Sequence, residues 1–343
     1  VNTGGHQPCG RPLDLFRGTF EFQMHPAGIR INLCLDDVHP NLKRPPKLPQ
    51  NGHSNLLTAG GQIQFYDGHQ TVGYLCEMSK HVSRLFLVDA FARAPFTGNP
   101  AAVVPLASPA SEEWMQSLAM EMNQAETAFF YPEDDGYRLR WFTPSVEVDL
   151  CGHATLATAH VIWNELGIHS PEIRFSTRSG DLFCMREEDG IVLDFPNEAP
   201  VATELTAELR AALPADPIWQ GQNRMDHFVE LESLDQLLTT DWSKLLSNIE
   251  ALAMRGLVVT VQGGDGVDFT SRCFFPQSGV PEDPVTGSAH CSLAPYWAQK
   301  LGRTEVTGYQ ASRRGGYIRC SVIGDRVRLK GTAITTLRGE LAV

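Results

Sequence analysis

The sequence predicts an α+β fold of two related lobes, each a curved sheet packed on one helix. The first observation behind this is an ordered internal repeat. Arg140-Trp141-Phe142-Thr143-Pro144 recurs as Arg272-Cys273-Phe274-Phe275-Pro276, 132 residues later. Cys151-Gly152-His153-Ala154 recurs as Thr286-Gly287-Ser288-Ala289, 135 later, and Ser179-Gly180 to Cys184 recurs as Gly315-Gly316 to Cys320, 136 later. Leu193 meets Leu329 at the same 136. The second observation is that each half reads as short strands, a glycine, a helix and a hairpin. The third is composition: 343 residues, 42% hydrophobic and 20% charged, are enough for a sizeable core and two or three domains.

Residues 1–77 stand apart. They hold ten Gly, seven Pro and five of the eleven His, with six basic and six acidic residues. Weak periodicity and the breaker run Lys43-Arg44-Pro45-Pro46-Lys47-Leu48-Pro49 predict a disordered leader or upstream extension. Met78 begins a segment of ordinary character and is the expected native start. The expected organisation is therefore 1–77, a first lobe at 78–195 and a second at 196–343.

The apolar run 84–91 predicts a strand, Gly98-Asn99-Pro100 a turn, and 101–104 a second strand. Ser111, followed by Glu112 and Glu113, caps a helix to about Met122. A strand follows at 128–131. Helices are predicted over 154–166, stopped by Gly167, and over 289–301, stopped by Gly302. Pro295 inside the second predicts a kink or reshaped first turns.

Charge narrows the function. The net charge is −12, all of it within residues 78–343, which argues against nucleic acid or an anionic membrane as partner. There is no apolar run of the roughly 18–20 residues a membrane span needs. The first residues show no basic-then-apolar signal pattern, so a cytoplasmic protein with reduced thiols is expected. The eight cysteines form no C-x-x-C pair. His153, His160 and His290 lack an H-E-x-x-H or carboxylate spacing, so no metal is expected. Gly263-Gly264-Asp265-Gly266 lacks the Lys-Ser/Thr of a phosphate loop and reads as a hairpin turn.

A helix start leaves N–H groups unpaired and partly positive, and a glycine there lets a ligand approach the backbone. Gly152 and Gly287, brought to one cleft by a pseudo-two-fold axis, would hold a carboxylate without Arg or Lys. Glu126 sits where a helix gives way to an apolar strand, an environment that raises a carboxyl pKa and suits proton transfer. Glu282 and Asp283 lie in a Pro-bounded loop before the second helix. From pattern alone, each of these is also compatible with an ordinary turn or helix end.

The chain from Leu85 onward resembles the phenazine-biosynthesis PhzF-like isomerase family. The matching segments are Asp89-Ala90-Phe91 with Gly98-Asn99-Pro100, Asn123 to Glu126, Phe142-Thr143-Pro144 with Cys151 to Thr155, and Glu282 to Ala289. Residues 1–77 have no counterpart. The resemblance implies a diaminopimelate epimerase-like fold, two pseudo-symmetric lobes each a barrel-like sheet around a central helix, with the site between them. It implies a cofactor-free isomerase acting on a small carboxylate, as in the reference reaction on trans-2,3-dihydro-3-hydroxyanthranilate. Glu126 matches the proton carrier, and His153, Asp283 and Ser288 match supporting catalytic residues. Gly152, Gly287 and Ser288 match the segments that hold the substrate carboxylate. A homodimer is also implied.

Physically, one carboxyl in a dry site takes a proton from one carbon and returns it to another on the same face. Asp283, kept protonated there, would donate to the substrate, and His153 would orient substrate or tune Glu126. Two alternatives stand. A two-thiol racemase or epimerase would use Cys151, but the repeat partner of Cys151 is Thr286, a poor carbon base. A non-catalytic small-carboxylate-binding protein would share the fold.

Overall fold

The computed structural model describes residues 83–264 and 266–342 with their side chains, and five strands within residues 19–73 by backbone alone. The chain divides between Met78 and Ser79 into two compact units. In the first, Thr19–His25 pairs antiparallel with Gly28–Cys34, and Leu57–Ala59, Gln62–Asp67 and Gln70–Gly73 form a three-stranded antiparallel sheet. The rest of the segment expected to be a leader lies outside the described residues, as do Met78 and Asp265 of the glycine-rich turn.

The second unit carries the repeat as architecture. In hydrogen-bonded order, the first lobe's strands are Ala333–Glu340, Arg84–Ala90, Asn99–Pro105, Glu126–Glu133, Gly136–Phe142, Glu172–Thr177, Gly180–Glu187 and Gly190–Pro196. The second lobe's are Val201–Ala202, Trp219–Gln222, Asp226–Glu230, Gly256–Gln262, Phe269–Phe275, Glu305–Gln310, Gly316–Ile323 and Arg326–Gly331. Parallel pairs fall at the same two places in each series. Gly190–Pro196 and Arg326–Gly331 pair antiparallel and join the lobes, with Leu193 directly opposite Leu329. Residues related by the repeat thus face each other, which places the pseudo-two-fold axis there. Arg140 grips Glu147 through Nε and Nη2 at 2.7 and 2.6 Å, and Arg272 grips Glu282 the same way at 2.7 and 2.9 Å.

Val201–Ala202 pairs within the second lobe. Ala333–Glu340, inside the segment expected to form the second lobe, instead pairs with Arg84–Ala90 of the first. Hydrophobic pattern marks a strand's buried face but not which sheet edge receives it.

Ser111 caps Glu112–Met122 by accepting from Trp114 N, and Asn123 ends the helix in the left-handed conformation. Each lobe also holds one core helix. The first spans Gly152–His160 and buries every residue from His153 to Ala159; small residues let it be enclosed, and the Thr155 and Thr158 hydroxyls donate back to the Cys151 and Ala154 carbonyls. It continues as a π-helical turn, Val161–Glu165, before Gly167. The second, Gly287–Leu301, is one uninterrupted helix despite Pro295. Pro295 has no N–H for the Cys291 carbonyl four residues back. That carbonyl instead accepts from Glu198 N at 3.2 Å, in the linker between lobes. The helix runs on through Pro295, and the acceptor that the proline frees is satisfied by a donor from another segment.

The two helix starts meet. A methyl built on Gly152 would lie 3.6 Å from Gly287 Cα, and one on Gly287 would lie 3.5 Å from Gly152 Cα. Each methyl alone is in ordinary contact, but two would compete for one gap. Gly152→Ala and Gly287→Ala singly are therefore expected to change stability little. The double variant should lose about 1–3 kcal/mol beyond their sum. Chemical denaturation of the four proteins measures this coupling, and additive effects would show that the two backbones do not share that space.

Candidate active site

Three segments converge where the helix starts meet. Glu126 is the first residue of its strand, paired in register with Ala101 on the parallel neighbour. His153 is the second residue of the first core helix, and Asp283 ends the short strand Val280–Asp283. Glu126 Oε2 lies 3.2 Å from His153 Nε2. The approach lacks hydrogen-bond alignment, so both atoms are enclosed without a hydrogen-bond partner. The Glu126 side chain keeps 19% exposure through its other atoms.

Asn99 ties these groups together. Its Nδ2 donates to Asp283 Oδ1 and to the Val285 carbonyl, each at 2.9 Å, and lies 3.3 Å from His153 Nδ1. Gly98, at φ +71°, turns the chain into Asn99, and a methyl there would stand 2.2 Å from the Ala90 carbonyl oxygen. Buried Asp89 secures that turn. It accepts from Phe96 N at 2.8 Å and from Arg314 Nη2 at 2.6 Å, while Arg314 Nε donates to the Gly98 carbonyl at 2.8 Å. A first-lobe loop is thus fastened by a second-lobe arginine.

Asp283 is fully engaged. The Thr286 hydroxyl donates to its Oδ2, and Asn99 occupies Oδ1. Gln310 braces the same turn, accepting from Thr286 N at 2.8 Å and donating to the Asp283 carbonyl at 2.7 Å. Thr286, the repeat partner of Cys151, is spent on Asp283 and is not free to act as a base.

Burial pushes the Glu126 carboxyl up to about 8, reinforced by the negative charge of Asp283. Asp283 is also raised by burial, but only to about 6, because Thr286, Asn99 and the Arg255 guanidinium favour its charged form. At neutral pH Glu126 holds a proton and Asp283 is ionised. Both Asp283 oxygens are engaged by Thr286 and Asn99, which favours a charged acceptor over the proton donor expected from sequence. Burial lowers His153 to about 3, so its ring is neutral.

Glu126, His153 and Asp283 therefore come together, with Gly152 and Gly287 beside them. Ser288 faces a different group: its Oγ accepts from Arg255 Nη2 at 3.2 Å, and Arg255 Nε is held by buried Asp226 at 2.8 Å. Sequence reading took Asn99 as a turn and passed over Gln310, Arg255 and Asp226. Gln310 had a signal: it falls on the inward face of an alternating strand, with Val306 and Gly308. Cys151, expected to be a packed residue, is buried and lies 3.5 Å from His153 Nδ1.

The phenazine biosynthesis-like protein (PhzC-PhzF) family model matches residues 88–339. An uncharacterized isomerase of Halalkalibacterium halodurans is 48% identical over 261 residues, covering 75% of this chain and 97% of that protein. The crystal structure of a PhzF-family phenazine biosynthesis protein from Enterococcus faecalis superposes with a TM-score of 0.72 at 42% identity, over 76% of this chain and 100% of that one. A hydroxyproline epimerase from Agrobacterium vitis shares the fold, at a TM-score of 0.51 and 11% identity over 77% of this chain and 94% of its own.

The raised Glu126 carboxyl has a consequence for stability. Between its ordinary value of 4.5 and about 8, the folded chain keeps a proton that the unfolded chain releases. Stability from this group is therefore present below pH 4.5 and is lost as pH rises through 8. Glu126→Gln removes that dependence. The melting temperature of the variant should gain on wild type steadily from pH 5 to 8, by roughly 2–4 °C for each kcal/mol. A constant difference across that range would mean that Glu126 is not desolvated.

Proposed function

The chain belongs to the phenazine biosynthesis-like family and is an isomerase of PhzF type, and we propose that it moves a proton between carbons of a small carboxylate, with Glu126 as the carrier. The observation that carries this reading is the Glu126–His153 pair: a carboxyl with a raised pKa and one enclosed, unsatisfied oxygen, beside a neutral imidazole and two helix starts. The substrate carboxylate would lie against the N–H groups at Gly152 and Gly287, where helix dipoles add positive potential. Ionised Glu126 takes the carbon-bound proton, negative charge develops toward the carboxylate end, and the same carboxyl returns the proton to a second carbon. His153, neutral throughout, holds the geometry. Asp283, fixed by Asn99 and Thr286, keeps a negative charge nearby that makes Glu126 a stronger base. No step calls for a cofactor.

One feature favours a single proton carrier over a two-base racemase. Glu126 opens the strand parallel to Asn99–Pro105; the strand at the same place in the second lobe, Gly256–Gln262, opens with Gly256. The second lobe has no side chain at the position equivalent to Glu126. The acid paired with Gly256 in register, Asp226, is locked to Arg255.

The test is hydrogen–deuterium exchange at carbon in D₂O, followed by NMR. The substrates are trans-2,3-dihydro-3-hydroxyanthranilate and a panel of small unsaturated or amino carboxylates. Wild type should exchange or convert one of them, and Glu126→Gln should lose roughly 10²–10⁴-fold. The wild-type kcat/KM should rise with pH toward about 8, as Glu126 ionises. Exchange that survives the substitution would place the base elsewhere.

A further inference from the structure

The catalytic carboxyl has a neighbour that proton transfer does not use. Glu126, Cys151 and His153 each present a donor atom, and the three atoms lie within 4.8 Å of one another. Cys151, 6% exposed, immediately precedes the first core helix and makes no cap bond to it; its Sγ lies 3.5 Å from His153 Nδ1, not the ring nitrogen nearest Glu126, so one ion takes all three donors only after the imidazole turns. His153 is equally buried, and its Nε2 has no hydrogen-bond partner; neither does Glu126 Oε2. Their 3.2 Å separation is close to the roughly 3.3 Å that two ligands span across a tetrahedral zinc with bonds of 2.0–2.2 Å. Thiolate, imidazole and carboxylate are the donors zinc prefers, and three protein ligands leave a fourth position open. The second lobe cannot reproduce the set, because Thr286 and Ser288 stand where Cys151 and His153 do in the first.

We propose that Glu126, Cys151 and His153 form a thiolate-containing site for a divalent transition metal of zinc type, superimposed on the proton carrier, so that zinc is a reversible inhibitor. Binding converts the Cys151 thiol to a metal-bound thiolate and expels its proton to solvent, together with the proton held by Glu126. Affinity therefore increases with pH. A bound ion occupies Glu126 Oε2 and an imidazole nitrogen at once and leaves no free base. The inhibition rests on the role proposed for Glu126; the binding does not.

The test uses the full-length chain and no substrate. Zinc affinity is measured by competition with a chromophoric chelator for wild type, Cys151→Ser and His153→Gln, each checked for folding by circular dichroism. Cobalt(II) is then added in place of zinc and its near-ultraviolet thiolate band is recorded. Wild type should bind one zinc that each variant weakens at least 100-fold, and the cobalt–thiolate band at this site should vanish in Cys151→Ser. Comparison with the variants subtracts any zinc taken by the other cysteines and histidines of the chain. Unchanged zinc affinity and an unchanged cobalt band in Cys151→Ser would overturn the site. Zinc binding as expected, with no proton exchange on any carboxylate, would instead overturn the proton-carrier role proposed for Glu126 and leave the metal site standing.

Discussion

The contact between Gly152 and Gly287 governs the rest of the molecule. Two core helices can bring their starts together only where neither carries a side chain large enough to hold the backbones apart. That approach concentrates unpaired N–H groups and the positive ends of two helix dipoles in one small volume. It also places the residues just before and after each glycine around the same point. The pairing of Leu193 with Leu329 supports the same axis from the sheet side, so backbone hydrogen bonds and helix packing agree on the geometry.

Around that point the halves have diverged in chemistry while keeping their frame. The Arg140–Glu147 and Arg272–Glu282 pairs show how closely the frame is kept. The first lobe contributes Glu126, Cys151 and His153; the second contributes Asp283, Thr286 and the Arg255–Ser288 contact. Two buried carboxyls would both resist ionisation, but their partners divide them. Thr286, Asn99 and Arg255 favour the charged form of Asp283, and that charge adds to the burial that keeps the proton on Glu126. Asn99 is the joint, since one amide nitrogen reaches both lobes. Its position depends in turn on Asp89 and Arg314, which fasten the turn at Gly98 from opposite lobes.

Much of this was legible beforehand. The strand at 84–91, the helix capped by Ser111 and the stops at Gly167 and Gly302 lie where local propensity puts them, because caps and glycines act within a few residues. The repeat was legible because both halves keep the residues that hold the common frame. Three features were not. Pro295 predicts a kink or reshaped first turns, while the donor that meets the carbonyl it frees, Glu198 N–H, comes from a distant segment. The last strand's exchange into the first lobe depends on which sheet edge is free, a property no window of sequence contains. Asp283 reads as a candidate acid, but whether it is charged depends on Thr286 of its own loop and on Asn99 and Arg255, which approach it from other segments.

The sequence by itself determined the two-lobed α+β architecture, the helix starts at Gly152 and Gly287, and Glu126 and Asp283 as polar residues worth watching, with His153 added by the family resemblance. Periodicity, capping and an ordered repeat are written along the chain. Only the tertiary structure decided that Asn99 links those residues, that Ser288 answers to Arg255, and that Cys151 shares an enclosed corner with Glu126 and His153. Those relations are distances and burial across segments up to 184 residues apart, and a carboxyl's charge state follows from its surroundings rather than from its place in the chain.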